Sequence, residues 1–407
     1  MFAFGILITY LCDIVSSTTL APVAAPKHTT SAAIHGIATS VPETSYTQRF
    51  AADFLQKLAV FSDKQHRFLA RLYQNTGIDK RHTVIEDYGK DPSAHLFYPK
   101  NDQLLPEPGL EARNDVFIRE SNRLSEQAAR SLFSGLPEFD RHAITDLITV
   151  TCTGFSAPGF DLHLVNALGL RQDVRRSHIA FMGCYAGFPA MRMARDICIA
   201  NPGAHVLIVA VELCSLHFQQ KTDLDFIIAN SLFADGAAAV LVGPAADTDH
   251  AGGDSGYQRG AQLLLDGFSS RIIPGSEKDM AWKIGQNAFD MRLSAYVPRL
   301  IEQNIRSIID DLLSASDAAF ADIDIWAVHP GGRAILDRTA AALDIPVSAL
   351  SHSYEVLREH GNMSSATIFF VLRRILESRE SGIVFATAFG PGLTVESGLF
   401  RKTGLLR

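Results

Sequence analysis

Two strand–helix–strand units of matching spacing recur in this chain, and they limit what it can fold into. Residues 144–152 form an apolar, β-branched run that reads as a buried strand ending in a turn, and residues 323–329 read the same way. Cys184 lies 32 residues after Cys152, and Asn362 lies 33 residues after His329. Both Cys184 and Asn362 precede a helix-like stretch, at 185–200 and 364–378, and then a strand-like run, at 205–211 and 382–387. Such recurrence signals duplicated halves. Alternating strands and helices imply packed α/β layers. Two such halves set back to back would aim their turns at one shared cleft.

The turns carry reactive groups. Cys184 sits in Phe181-Met-Gly-Cys-Tyr-Ala-Gly187, His329 in Val328-His-Pro-Gly-Gly332 and Asn362 in His360-Gly-Asn-Met-Ser-Ser365. Glycine and proline mark each as a turn. A thiol at a helix start has its thiolate stabilised by the macrodipole and free N–H groups. A nearby imidazole would lower its pKa further. The thiol can hold an acyl group, while the imidazole and the amide can donate to a developing enolate oxygen. The set fits decarboxylative Claisen chemistry on thioesters. Each residue has a plainer reading: a buried inert thiol, a core histidine and a helix N-cap. Three such residues in matching turns argue against those readings.

With 407 residues, 47% hydrophobic and 20% charged, the chain can build a large core. A net charge of −7 without a long basic run argues against nucleic acid as the main partner. The five cysteines match neither a disulfide framework nor a zinc site and favour a reducing compartment. Cys198, mid-helix, reads as buried filler. The fourteen histidines lack ligand spacing, so no metal is expected. Residues 1–30 read as an N-terminal extension or targeting segment: 2–15 are apolar, but no Lys or Arg precedes them. That stretch is short for a bilayer. Residues 31–245 and 260–407 are the expected halves, with the Gly- and Asp-rich 244–260 between them. Residues 46–85 read as helical, 86–115 as loop, and 116–136 and 293–315 as helices.

In these motifs, and in Ser231-Leu-Phe-Ala-Asp-Gly-Ala-Ala-Ala239 and Phe389-Gly-Pro-Gly-Leu-Thr-Val-Glu396, the chain resembles the type III polyketide synthases. These are the chalcone-synthase-like branch of the thiolase superfamily. The likeness runs over residues 30–402. At 280–285 and 289–294 it is nearer to microbial and algal members than to plant chalcone synthases. It implies the five-layered α-β-α-β-α thiolase fold and a homodimer. It also implies an acyltransferase that condenses malonyl-CoA onto a Cys-bound starter, here a fatty acyl group. The product would be an alkylpyrone, an alkylresorcinol or a phloroglucinol-type compound. Coenzyme A thioesters would be substrates, with no separate cofactor and no membrane partner. A chain-initiating β-ketoacyl synthase and a non-catalytic acyl-CoA-binding protein of the same fold are the alternatives. Acyl-CoA chemistry favours a cytoplasmic site, with plastid or secretory targeting the alternative.

The resemblance also implies roles for single residues. Phe233 would be a gatekeeper between a coenzyme A tunnel and the polyketide cavity. Cys152, Cys214, His217, Phe289 and Ser364 would line that cavity. Cys152 and Cys214 replace threonines of the plant enzymes. Ala157 replaces a methionine that reaches across the dimer. These smaller or less polar groups imply an apolar cavity and an aliphatic starter. Arg71 and the backbone of Ala334 match coenzyme A contacts. Lys64, Arg67, Arg71, Lys80 and Arg81 offer further cations, the first three on one helical face; a solvated basic face is the plainer reading. Ala388 departs from the glycine usual before Phe389.

Overall fold

The computed structural model describes residues 31–245, 260–294, 296–316 and 318–404. The tail read at 1–30, and all of the expected boundary from 246 to 259, lie outside the described residues. The strands are β1 (Ala32–Ser40), β2 (Ser45–Thr47), β3 (Lys80–His82), β4 (Asp146–Thr151), β5 (Arg175–Ala180), β6 (Val206–Leu213), β7 (Asp235–Pro244), β8 (Gln262–Ile272), β9 (Met280–Ile284), β10 (Phe289–Leu293), β11 (Ile323–Val328), β12 (Gly382–Gly390) and β13 (Thr394–Thr403). The α-helices are α1 (Gln48–Leu55), α2 (Asp63–Asn75), α3 (Leu110–Ser134), α4 (Phe160–Leu168), α5 (Gly187–Ala200), α6 (Leu224–Leu232), α7 (Val297–Ser314), α8 (Arg333–Leu343), α9 (Ser351–His360) and α10 (Thr367–Glu377).

Nine strands join in the order β11-β12-β13-β8-β1-β7-β6-β4-β5. Its two ends are wired alike. Strand β1 runs antiparallel to β7, β7 antiparallel to β6, and β6 parallel to β4. In the same pattern β8 runs antiparallel to β13, β13 antiparallel to β12, and β12 parallel to β11. The repeat in spacing is therefore a repeat in topology. The two sets of strands meet through two paired positions, Ala33 with Leu264 and Ile34 with Leu263.

Side-chain alternation separates the layers. Val206, Ile208 and Ala210 of β6 enter a central core, while Leu207, Val209 and Val211 enter an outer one with α3 and α4. On the other side, Ala327 and Ala386 face the central core, and Trp326 and Phe385 face a second outer core with α7 and α8. Helices α5 and α10 fill the centre. This gives the five α-β-α-β-α layers expected. Strands buried on both faces read as continuous apolar runs, as β6 does.

Residues 46–85 differ from the helical expectation. Thr47 caps α1, a Ser62–Gln65 capping box opens α2, and β2 pairs with β3 to close the segment. Gly77, at φ +74°, turns the chain back after α2. Helix α3 begins at Leu110, inside the expected loop, with Gly109 at its N-cap.

Candidate active site

Cys184 follows β5 through a turn in which Phe181 and Gly183 both have positive φ, 57° and 81°. At Gly183 a Cβ would lie 2.1 Å from Cδ of Pro391, so the nucleophile turn rests directly on the Gly-Pro-Gly loop. A Cβ on Gly390 would meet Tyr185 at 2.4 Å. Glycine keeps both contacts open. Gly187 then lets the two central helices approach, since its Cβ would sit 3.1 Å from Ile368 and Phe369 of α10. That approach draws the Cys184 turn and the Asn362 turn together. Ala388, in place of glycine, is regular strand paired with Glu396 and fully buried in the central core.

Cys184, His329, Asn362 and Ser364 line one cavity of about 590 Å³, open mouth included, with Cys152, Phe233 and Pro391 in its wall. The three candidate catalytic residues are only 7%, 1% and 2% exposed. His329 ends β11, and its backbone N–H donates to Thr387 O at 2.8 Å. Neither ring nitrogen has a hydrogen-bond partner among the described residues. The imidazole is thus held by packing and is free to donate into the cavity or accept from it. Burial drives its pKa down to about 3. Asn362 Oδ1 accepts from the Ser364 backbone at 2.9 Å, and Nδ2 donates to Gly331 O at 3.2 Å. The carbonyl end therefore holds the following turn, while the amide N–H₂ donates one hydrogen to Gly331 and keeps a second in a residue that lines the cavity. Met363, not Asn362, stands at the N-cap position of that turn, so the plainer helix-cap reading of Asn362 is not met.

The thiol differs from expectation. Helix α5 starts at Gly187, three residues beyond Cys184, so helix-start donors do not dominate. Burial pushes the thiol up to about 12, opposed by hydrogen bonds from Ser364 and Asn362 and reinforced by the Glu212 carboxyl. Desolvation is the largest influence on this thiol. Ser364 is held at φ 48° beside the thiol.

Glu212 escaped the sequence reading, which ended its strand at Val211. Glu212 is fully buried at the end of β6 and accepts from Cys152 N at 3.0 Å, Thr153 Oγ1 at 3.0 Å and the Ser365 hydroxyl. Burial raises its carboxyl to about 7. A lone carboxylate closing an apolar strand was the available signal. Cys152 Sγ accepts from Gly183 N at 2.9 Å, which ties it to the nucleophile turn.

A second cavity of about 900 Å³, open mouth included, lies behind the first. Cys214, Phe233, Trp282 and Met291 belong to the walls of both. Its lining is largely aromatic and aliphatic, with Phe50, Phe54, Tyr88, Phe218 and Phe289 prominent. His217 stacks on Phe289 at 4.1 Å, and its ring nitrogens are both used, by Thr153 O and by Phe289 N. Accepting from a backbone N–H requires a neutral ring, and burial lowers its pKa to about 3. His217 is a wall, not an acid or base. Ala157 lies on an exposed loop and lines neither cavity, so it does not widen the site within one chain.

Lys64, Arg67 and Arg71 are exposed along α2, without an ion-pair partner among the described residues. Lys80 is exposed as well, and Ala334 is exposed in the first turn of α8. Arg81 is not a free cation: its guanidinium binds Gln48 and two backbone carbonyls. No group of three or more metal-ligating side chains occurs among the described residues. Among the same residues no helix is long and apolar enough to cross a membrane.

The chain is similar to known proteins over most of its length. The family description "Chalcone and stilbene synthases, N-terminal domain" matches residues 23–246, and the corresponding C-terminal domain matches 265–403. The "alpha-pyrone synthesis polyketide synthase-like Pks18" of Mycobacterium tuberculosis is 31% identical over 377 residues, 91% of each chain. The 1,3,6,8-tetrahydroxynaphthalene synthase of Streptomyces griseus is 30% identical over 90% of this chain and 92% of its own. The crystal structure of PKS-I from the brown alga Ectocarpus siliculosus superposes with a TM-score of 0.84 at 29% identity, covering 93% of this chain and all of that one. The chain belongs to the chalcone and stilbene synthase family, the type III polyketide synthases. It is a malonyl-CoA-dependent condensing enzyme.

Proposed function

We propose that this enzyme extends an aliphatic acyl-CoA starter on Cys184 and releases an alkylpyrone, alkylresorcinol or phloroglucinol-type product. The second apolar cavity, which shares the wall residues Cys214 and Phe233 with the first, carries this reading. It provides a place for an alkyl tail while the thioester stays at Cys184. Because the M. tuberculosis relative is named for α-pyrone synthesis, the pyrone is the favoured ring.

The chemistry follows from the groups present. Cys184 sulfur attacks the starter thioester carbonyl, and coenzyme A leaves as its thiol, with His329 taking and returning the proton. Malonyl-CoA then binds with its thioester oxygen between His329 and the Asn362 amide. Loss of CO₂ leaves an enolate on that oxygen. Its carbon attacks the acyl carbonyl on Cys184, and the C–S bond breaks to free the sulfur. Two donors that carry no charge of their own suit a transient enolate. The exposed Lys64–Arg71 stripe offers cations for the phosphates of coenzyme A. The homodimer is supported by the sheet edge: β5 is outermost, and five of its six residues are exposed.

The test is product analysis by mass spectrometry with acetyl-, hexanoyl-, lauroyl- and benzoyl-CoA starters plus malonyl-CoA. Products that retain the long alkyl chain are expected. Turnover of malonyl-CoA alone, with long starters ignored, would defeat the aliphatic reading. In parallel, Asn362→Ala should still accept a starter on Cys184 but lose about 10²–10³ in CO₂ release. Unchanged CO₂ release with failed loading would reverse the assignment.

A further inference from the structure

Arg81 holds the end of α6 instead of facing solvent. Its Nε donates to Gln48 Oε1 at 3.0 Å, and its Nη1 donates to Asn230 O at 2.8 Å and Phe233 O at 2.7 Å. Gln48, only 4% exposed, donates in turn to Ser231 O at 2.6 Å and Thr76 Oγ1 at 3.1 Å. The remaining carbonyl of the turn, Leu232 O, accepts from Asn362 N at 2.9 Å, and Ala234 N donates to Asn362 O at 2.8 Å. The carbonyls of residues 230 to 233 are thus all satisfied, three by the Gln48–Arg81 pair and one by Asn362. A cation at a helix C-terminus is also favoured by the macrodipole. The stem of Arg81 presses on the residue before Asn362: a Cβ on Gly361 would lie 2.9 Å from Arg81 Cγ.

We propose that Gln48 and Arg81 form a clamp that positions Phe233 and Asn362 against each other for the malonyl decarboxylation and extension step. The proposal rests on the roles given above to Phe233 and Asn362. Arg81 is then a positioning residue and not a phosphate contact. Lysine cannot replace it, because one guanidinium reaches Gln48 and two carbonyls in a fixed fork, which a single ammonium does not reproduce. The clamp borders the apolar cavity, whose wall includes Arg81, so a small guanidinium ion can enter beside it.

Three quantities test it in Arg81→Ala and Arg81→Lys, each per folded protein: starter loading on Cys184 by intact mass, CO₂ release from malonyl-CoA, and product length. Loading with acetyl-CoA, which has no alkyl tail to reach the cavity wall at Arg81, is expected to stay within about twofold, while CO₂ release falls about tenfold or more and products shorten. Guanidinium ion in the buffer is expected to restore part of the loss in Arg81→Ala but not in Arg81→Lys. A merely structural role would lower loading and CO₂ release together, and a phosphate role would raise KM for both thioesters at unchanged kcat; either result overturns the clamp. Should Arg81→Ala fail to fold, Gln48→Glu keeps the acceptor for Arg81 but loses the donor to Ser231. It should show the same split, weaker, and an unaltered ratio overturns the proposal. Phe233→Ala and Asn362→Ala run alongside: if both are silent, the underlying site reading fails and the clamp with it. If both are impaired and Arg81→Ala is silent, the clamp alone fails.

Discussion

A thiol buried as deeply as Cys184 is a poor nucleophile until another group takes its proton. Burial holds the thiol near 12 and the His329 imidazole near 3, so each taken singly is neutral at neutral pH. An acid whose pKa is raised keeps its proton until the pH approaches the raised value. Transfer from sulfur to imidazole creates two opposite charges in one cavity, which offsets the desolvation that each suffers alone. Iodoacetamide should therefore label wild-type Cys184 faster at pH 7 than it labels Cys184 in His329→Ala. In His329→Ala the labelling rate should climb about tenfold per pH unit from about pH 7 to 10, as the thiolate fraction does. Superimposable profiles for the two proteins would show that His329 does not receive the proton. The identity of Cys184, His329 and Asn362 as candidates was legible in the sequence because each sits in its own glycine-marked turn. The state of the thiol was not, because desolvation depends on what other elements bring around it. Glu212 shows the same limit: its partners Cys152, Thr153 and Ser365 come from distant segments.

At the scale of elements, the site depends on how closely two turns and two helices can approach. Gly183 is the tightest point, with positive φ and Pro391 where a side chain would begin. Gly183→Ala should cost about 1–3 kcal/mol from backbone strain alone. Chemical denaturation would show this as a lower midpoint at unchanged slope. Activity per folded molecule should fall further, because the Cys184 turn must leave the Gly-Pro-Gly loop. Full activity in a merely destabilised protein would show that this packing does not place the nucleophile. Helix and strand cores were readable from periodicity, as α7 and β6 illustrate. The α1–α2 segment was not, since its break depends on capping by Thr47 and Ser62 and on the long-range pairing of β2 with β3.

On the function proposed above, substrate size is a property of the whole molecule, because the second cavity is assembled from α1, α6, the β9–β10 hairpin and the turn after β6. Each methylene buried there contributes about 0.8 kcal/mol, so kcat/KM should rise with starter length until the cavity is filled. Ala229, on α6 and 5% exposed, lines this cavity away from the reacting thiol. Ala229→Phe should suppress long starters while sparing acetyl-CoA, read as kcat/KM across chain lengths. A uniform loss at every length would mean that the cavity does not hold the tail. Sequence alone determined the duplicated α/β plan, because repeated spacing and alternation between two cores are written along the chain. It also determined the three candidate catalytic groups, because turn residues and reactive side chains are local. Only the tertiary structure decided that Ala157 lies outside the cavities of its own chain, that Arg81 binds backbone carbonyls, and that an aromatic cavity lies behind Cys214. Those outcomes depend on distances between residues far apart in the chain, which local pattern does not encode.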